Sequence, residues 1–362
     1  MESKVKWVRL GDYIIQRREK NDSNELPIYG VTRDGFIPPK QKEADTSKYN
    51  VFYLNDFVFN PARMEINSIY LNDFCPKAIC SSLYEIFYIK DTNVLLPLFL
   101  HLFLKRDEFA RHCEYIGWGS AREYCRVSDI SDIEIPLPSL SEQQKVVNAW
   151  KAFREIKEQN EAKAAPLMQL CQSYIQELKH KYLAQEIGPH LQFFREKNKD
   201  KEISLEQGIN ISKEFITPQR SNSDLSSRIK VRTGQFAYCT QLNNENVAIA
   251  YRTGPDCVVS PVYEVFEIKK ESREQLLPEY LFIWLSRPEF GRYVYWSSVG
   301  SAYEFLRFDN LYAYKIAFPP LDVQRAIVNI YKCANEAKQI AAEADRLSRE
   351  VCPALLQHII HS

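Results

Sequence analysis

The stretch LLPLFLHLFLKRDEFARHCEYIGWGSAREYCRVSDISDIEIPLPSLSEQQKVVN, residues 95–148, is written a second time as residues 276–329, LLPEYLFIWLSRPEFGRYVYWSSVGSAYEFLRFDNLYAYKIAFPPLDVQRAIVN. At a constant offset of 181, 20 of the 54 positions are identical. The matches fall in blocks: Leu95-Leu96-Pro97 on Leu276-Leu277-Pro278, Glu108-Phe109 on Glu289-Phe290, and Gly119-Ser120-Ala121 on Gly300-Ser301-Ala302. Glu123, Arg126, Pro138, Leu140 and Gln143 follow on Glu304, Arg307, Pro319, Leu321 and Gln324. Upstream the offset becomes 179, where Phe57, Pro76, Ser81, Tyr84-Glu85 and Phe87 meet Phe236, Pro255, Ser260, Tyr263-Glu264 and Phe266. A period this long is far beyond that of a solenoid repeat and marks a duplicated domain.

Composition agrees with two buried cores. The 362 residues are 45% hydrophobic and 26% charged, the balance of a soluble globular chain. Nine cysteines include no C-x-x-C pair, so neither a zinc cluster nor a disulfide framework is legible, and a cytoplasmic location is expected. Met1-Glu2-Ser3-Lys4 starts no hydrophobic signal core, and Leu95–Leu104, interrupted by Pro97 and His101, is too short to span a bilayer, so no membrane role is expected. Lysines and arginines number 47 against 47 acids. A chain that holds nucleic acid unaided usually has a positive excess, because phosphate neutralisation supplies most of the affinity. Either DNA is not the partner, or the charge is sorted locally and a second protein shares the load.

Residues 1–140 read as short strands, with Val51–Leu54, Phe57–Phe59 and Tyr84–Ile89 as aromatic and β-branched runs, followed by a helical pattern from Leu96 to about His112. This is an α+β domain. Pro136 and Pro138 are expected to stop any strand or helix and deliver the chain to a long helix. Ser141 is placed to cap that helix with Gln144, and Asp322 to cap its second copy. The second helix carries a heptad through Ile327, Ile330, Ala334, Ala337, Ala341, Ala344, Ser348, Val351 and Leu355. Moved back by 181, it gives Val146, Ala149, Phe153, Ile156, Asn160, Lys163, Leu167, Leu170 and Tyr174, apolar at both ends and polar in the middle. Helices this long outrun one domain, and the alanines would let a second helix come close. Pro166 and Pro353 are possible bends or stops.

Residues 189–321 repeat the first domain in shorter form, and the charged stretch Lys197–Glu206 shows no counterpart of Trp7–Asp12. Lys213, Arg220, Arg228, Lys230 and Arg232 form a basic run that is either a solvated loop or a phosphate-facing one. Pro255-Asp256 with Glu267-Ile268-Lys269 has the form of a metal-dependent nuclease core. The first copy has Lys77 and Tyr88 at those carboxylate positions, so the scaffold does not need them. His358 and His361 could share one helical face as metal ligands or simply end a helix, and no glycine-rich loop cradles a nucleotide.

Phe59-Asn60-Pro61-Ala62-Arg63-Met64, Ser81–Phe87, Gly119-Ser120-Ala121-Arg122 and Ile135–Gln144 resemble the specificity subunit of Type I restriction-modification systems, in that order and over the whole chain. In the second copy Tyr238-Cys239-Thr240-Gln241 stands where the first has Phe59–Ala62. The resemblance implies a non-catalytic subunit with two target recognition domains, residues 1–140 and 189–321, each reading half of a split, asymmetric double-stranded DNA target. Spacer helices, residues 141–188 and 322–362, are expected to pack as an antiparallel coiled coil and to dock two methyltransferase subunits, with restriction and motor subunits joining them. No cofactor is expected on this chain, and S-adenosylmethionine belongs to the methyltransferase. Arg63 and Arg122 are the expected DNA contacts of the first domain, with Lys40, Lys42 and Lys77 as candidates for phosphates. In the second domain the candidates are Arg220, Arg228, Arg232, Arg252 and Tyr303. Ser120, Glu123, Arg126, Ser301, Glu304 and Arg307, shared by both copies, read as architectural. A self-contained Mg²⁺-dependent nuclease on the same scaffold is the alternative.

Overall fold

A computed structural model describes residues 5–22, 25–39, 46–117, 124–219, 224–241, 246–298, 305–306 and 308–361. The chain divides into two compact units, Met1–Gln159 with Ile340–Ser362, and Asn160–Gln339. In chain order the first half forms β1 (Lys6–Arg9), β2 (Ile14–Arg17), β3 (Gly30–Thr32), β4 (Gly35–Ile37), β5 (Asn50–Tyr53), β6 (Phe57–Phe59), β7 (Ile69–Leu71), β8 (Lys77–Cys80) and β9 (Glu85–Ile89). There follow α1 (Pro97–Leu104), α2 (Asp107–Gly117), α3 (Val127–Ser131), β10 (Glu134–Leu137) and the long α4 (Leu140–Lys181). The second half forms β11 (Ala184–Glu186), β12 (Leu191–Phe194), β13 (Gly208–Ile209), β14 (Phe215–Ile216), β15 (Ile229–Val231), β16 (Phe236–Cys239), β17 (Ile249–Tyr251), β18 (Cys257–Val259) and β19 (Tyr263–Ile268). It ends in α5 (Pro278–Ser286), α6 (Pro288–Ser298), α7 (Phe308–Tyr312), β20 (Lys315–Ala317) and the long α8 (Leu321–His361).

The duplication is visible strand by strand. One unit has a four-stranded antiparallel sheet of order β2-β9-β6-β7, and the other the order β12-β19-β16-β17. The pairs β1-β10, β3-β4 and β5-β8 recur as β11-β20, β13-β14 and β15-β18. Both faces of each sheet are covered, with Phe57 and Phe87 on one side and Val58 and Ile86 on the other in the first unit. In the second, Phe236 and Phe266 lie opposite Ala237 and Val265, so the same pair of rings sits at the centre of one face. Phe57 stacks on Phe87 at 4.8 Å in the first unit, and Phe236 on Phe266 at 4.8 Å in the second. Stacking of this kind adds about 0.5–1.5 kcal/mol beyond the area buried.

The larger core of each unit is closed by both long helices. In the first unit, Val146 and Val147 from the start of α4 pack in one cluster with Leu355, Leu356, Ile359 and Ile360 from the end of α8. In the second, Cys171, Ile175 and Leu178 from the end of α4 join Ile327, Val328, Ile330 and Tyr331 from the start of α8. Start meets end in each unit, so the helices pair antiparallel as expected, and Lys157 Nζ lies 2.8 Å from Asp345 Oδ1 across them. Ala334, Ala337, Ala341 and Ala344 on α8 are all buried, as the heptad requires. On α4 the transferred heptad holds at Phe153, Asn160 and Leu167, but Ile156, Lys163, Leu170 and Tyr174 face solvent. The covered residues lie one place later, at Lys157, Ala164, Cys171 and Ile175. Lys157 finds a carboxylate there, and Ala164 is small and apolar where Lys163 is neither. Pro166 and Pro353 both lie inside unbroken helices.

Two buried glutamines explain the most persistent polar identity in the repeat. Gln143 Oε1 accepts from Leu96 N at 2.8 Å, while its Nε2 donates to Val94 O at 2.9 Å and Pro138 O at 3.0 Å. Gln324 makes the same three bonds to Leu277 N, Gln275 O and Pro319 O, at 2.9, 2.7 and 2.9 Å. One amide therefore ties the first turn of a long helix to the loop before α1 or α5. Only an amide carries both the acceptor and the two donors needed.

Local details depart from the sequence reading for physical reasons. A strand, β10, forms through Pro136, which pairs with Trp7 in a two-stranded ladder where a missing N–H is tolerated. Ser139, not Ser141, caps α4: its Oγ accepts from Glu142 N at 3.3 Å. The counterpart of Trp7–Asp12 exists, upstream of the stretch in which none is legible: β11 pairs β20 as β1 pairs β10, and the 3₁₀ turn Gly188–His190 repeats Leu10–Asp12. Gly11 and Gly188 alone keep their identity there. A Cβ on Gly11 would lie 2.9 Å from Ser131, and one on Gly188 would lie 2.1 Å from the ring of Tyr312.

Replacing Gln143 or Gln324 by Ala leaves buried backbone groups without partners, at about 1–3 kcal/mol each. Urea unfolding of either variant is expected to show a loss of about 3 kcal/mol or more, against under 1 kcal/mol for Gln144→Ala on the exposed face of the same turn.

Candidate nucleic-acid interface

In the first unit the chain leaves β6 through Asn60-Pro61-Ala62-Arg63. Asn60 Oδ1 accepts from Ala62 N at 3.1 Å, and Pro61 starts a 3₁₀ turn that ends on Arg63. The turn closes by Ser68 N to Arg63 O at 3.1 Å and Asn60 N to Ser68 O at 3.0 Å. Asn67 sits at φ 57°, in the left-handed region that asparagine tolerates, and its Nδ2 donates to Leu104 O at 2.9 Å. Lys105 Nζ donates to Asn67 O at 3.2 Å and to Arg33 O, and burial pushes its ammonium down to about 7. The turn is thus fixed to the end of α1, with the Arg63 side chain exposed above buried Met64.

The same turn meets the residues that come a few places after Gly-Ser-Ala in sequence. Cys125 N donates to Pro61 O at 3.0 Å, and in the second unit Leu306 N donates to Thr240 O at 2.8 Å. This repeated bond sets Thr240 on Pro61, the register expected for the second copy. Arg122 and Tyr303, with the conserved Gly-Ser-Ala-x-Glu positions and Arg307, lie outside the described residues, as do Lys40, Lys42 and Arg220. The described residues that follow Arg122 and Tyr303 are held by this bond, through Cys125 and Leu306.

The remaining candidates are engaged. Lys77 lies 3.9 Å from Glu19 Oε1 and 5.4 Å from the centre of the Tyr53 ring. It belongs to a surface group that sequence reasoning missed. Arg17 there forms a two-pronged pair with Asp56 at 2.6 and 3.0 Å and lies 4.6 Å from the centres of both the Tyr53 and Tyr88 rings. The group is assembled from β2, β5, β9 and a turn, so no sequence window contains it. Burial, the largest influence, pushes the Asp56 carboxyl up despite the Arg17 pair.

In the second unit the basic run is met by acids from elsewhere in the chain. Arg228 Nε is 2.6 Å from Glu206, and both side chains are largely buried. Lys230, its side chain covered, is ringed by Asp200 at 2.8 Å, Glu202 at 2.9 Å and Glu196 at 3.1 Å. Hydrogen bonds to Asp200 and then Glu202 hold its ammonium above the usual lysine range. Arg232 reaches Glu196 at 3.1 Å and Asp256 at 3.4 Å. Lys213 Nζ donates to Val247 O, and burial pushes it down to about 8. Arg252 is buried, donates to Pro255 O and Gln207 Oε1, and lies 5.0 Å from the Phe215 ring centre.

The nuclease-like residues have other partners. Asp256 accepts from Thr233 N at 2.8 Å as well as from Arg232, Glu267 from Gln235 Nε2 at 3.4 Å, and Lys269 Nζ donates to Pro189 O at 2.6 Å. Among the described residues no three His, Cys, Asp or Glu side chains gather as a metal site, and no helix is long and apolar enough to cross a membrane. α8 continues through His358 to His361, whose Nε2 lies 3.1 Å from Gln357 Oε1.

Residues 7–165 match the model of the Type I restriction modification DNA specificity domain. Residues 7–165 thus carry that domain, and residues beyond them repeat it in sequence and in strand order. The fold of the chain is shared by the S subunit of a Type I restriction-modification system from M. genitalium, with a TM-score of 0.63 at 15% identity over 100% of this chain and 98% of that one. The HsdS subunit of Thermoanaerobacter tengcongensis covers 100% and 98% at 17% identity, with a TM-score of 0.42. No curated protein matches the sequence at a significant level.

Arg228→Ala leaves Glu206 buried without its cation, and a full-chain unfolding experiment is expected to show a loss of about 3 kcal/mol. Arg63→Ala removes an exposed side chain and is expected to stay within about 0.5 kcal/mol of the parent.

Proposed function

We propose that this chain is the DNA sequence-specificity subunit of a Type I restriction-modification complex, each recognition domain reading one half of a bipartite, asymmetric target. The observation that carries the reading is the specificity-domain match over residues 7–165 in a chain that builds the same unit twice. Half-site reading needs side chains on base edges of the major groove. Arg63, on a fixed turn and with no side-chain ion pair among the described residues, is the base reader favoured in the first unit. Lys40, Lys42, Arg122, Arg220 and Tyr303 remain candidates for DNA contact. Lys77, Arg228, Arg232 and Arg252 reach DNA only by exchanging their present partners, and Arg228 and Arg252 serve better as struts.

The partners follow from the same reading. Two methyltransferase subunits supply S-adenosylmethionine chemistry and much of the phosphate contact that a chain of zero net charge lacks. Restriction and motor subunits supply cleavage, and the chain itself is non-catalytic and cytoplasmic. α4 and α8, of 42 and 41 residues, run about 60 Å each at 1.5 Å per residue and act as the ruler that sets half-site spacing.

Co-expression with the cognate methyltransferase, followed by genome-wide mapping of methylated adenines, is expected to give two specific segments separated by a gap of fixed length. Arg63→Ala is expected to relax one segment and leave the other intact. Methylation without a split motif, or plasmid cleavage by the purified chain and Mg²⁺ alone, overturns the reading.

A further inference from the structure

Most identities between the two copies are explained by burial. Among described residues, the identical pairs exposed in both units include Arg111 with Arg292 beside the sheets, and Asn148, Lys151 and Glu155 with Asn329, Lys332 and Glu336 on the long helices. The arginines sit on the outer faces of α2 and α6, and four residues on, one helical turn along the same face, stand Tyr115 and Trp296. These rings are 74% and 75% exposed. Before each arginine comes the retained Glu108 or Glu289, 3.9 and 3.8 Å from its guanidinium. The intervening residues have diverged: His112, Cys113 and Glu114 against Tyr293, Val294 and Tyr295. The glutamate also neutralises the covered Arg106 at 3.3 Å or Arg287 at 2.9 Å, so it is the arginine and the ring that are presented twice without a packing role.

The charge around it does not suit phosphate. Arg33 is paired with Asp107 at 3.1 Å, Arg106 with Glu108 at 3.3 Å, and Glu114 adds a further exposed carboxylate. On α6, Arg292 faces Glu289. Neither face has the positive excess that drives binding to a nucleic-acid backbone. Exposed aromatic rings beside arginine, within a mixed-charge rim, are instead the composition of protein interface anchors. A surface repeated in two domains that read different bases fits a partner present in two identical copies.

We propose that the outer faces of α2 and α6 each dock one copy of the same protein, the methyltransferase subunit, through Arg111 with Tyr115 in one unit and Arg292 with Trp296 in the other. This rests on the functional reading above. The partner presents an apolar recess for the ring and a carboxylate for the guanidinium, which releases its glutamate only in part. The contact is additional to any made by the long helices, and places a methyltransferase against each recognition domain.

The test uses the full chain and its methyltransferase subunit, with complexes weighed by native mass spectrometry across a titration. The double variant Arg111→Ala with Tyr115→Ala is expected to weaken one of two bound methyltransferases by on the order of 30-fold, the loss of a hot-spot anchor. Arg292→Ala with Trp296→Ala is expected to weaken the other. Tyr115→Trp, which installs the ring of the second unit, is expected to retain both. Unchanged methyltransferase binding in both double variants overturns the proposal, as does unchanged binding accompanied by weaker duplex DNA affinity, which assigns the faces to DNA. A parent chain that binds no methyltransferase overturns the functional reading, and this proposal with it.

Discussion

The covering of apolar surface by both long helices is the constraint on which the rest of the structure depends. Neither sheet closes its own core. The stacked pair Phe57 and Phe87 lies in a cluster that includes Leu356, Ile359 and Ile360 from the far end of the chain. The cluster around Phe236 and Phe266 likewise takes Cys171, Ile175 and Leu178 from α4 and Ile327 and Val328 from α8. Burial of each such aliphatic side chain contributes about 1.5–3 kcal/mol. The helices are therefore parts of the two cores as well as connections, and Gln143 and Gln324 fix the angle at which each begins.

This constraint explains why the repeat was legible. Leu95, Leu100, Leu104, Phe109 and Gln143 survive in the second copy because each is buried, so duplication, mixed fold and helix pairing could all be read from sequence. What could not be read was set by contacts distant in sequence. The first strand of the second unit kept only Gly188, whose lack of a side chain is demanded by Tyr312. The covered face of α4 was obscured by its polar middle, where Lys157 is chosen by Asp345.

The candidate interface divides along the same line. Asn60-Pro61-Ala62-Arg63 was legible because a proline turn after a strand is a local signal, and the bond from Cys125 N to Pro61 O ties it to a residue shortly after Gly119-Ser120-Ala121 in sequence. The basic run in the second unit looks unneutralised only while charge is counted along the chain. Its neutralising partners Glu196, Glu202, Glu206 and Asp256 arrive from other strands and loops. Exposed features kept in both copies, such as Arg111 with Arg292, become informative only when burial is known for every neighbour.

The most direct measurement of the central claim is hydrogen exchange by mass spectrometry on the full chain carrying Leu356→Ala and Ile360→Ala, at the end of α8. If both helices complete each core, protection falls in the peptides spanning residues 50–89 and stays unchanged in those spanning 229–268. Unchanged protection over 50–89 would contradict the account, because the first core would then close without the last turns of the chain.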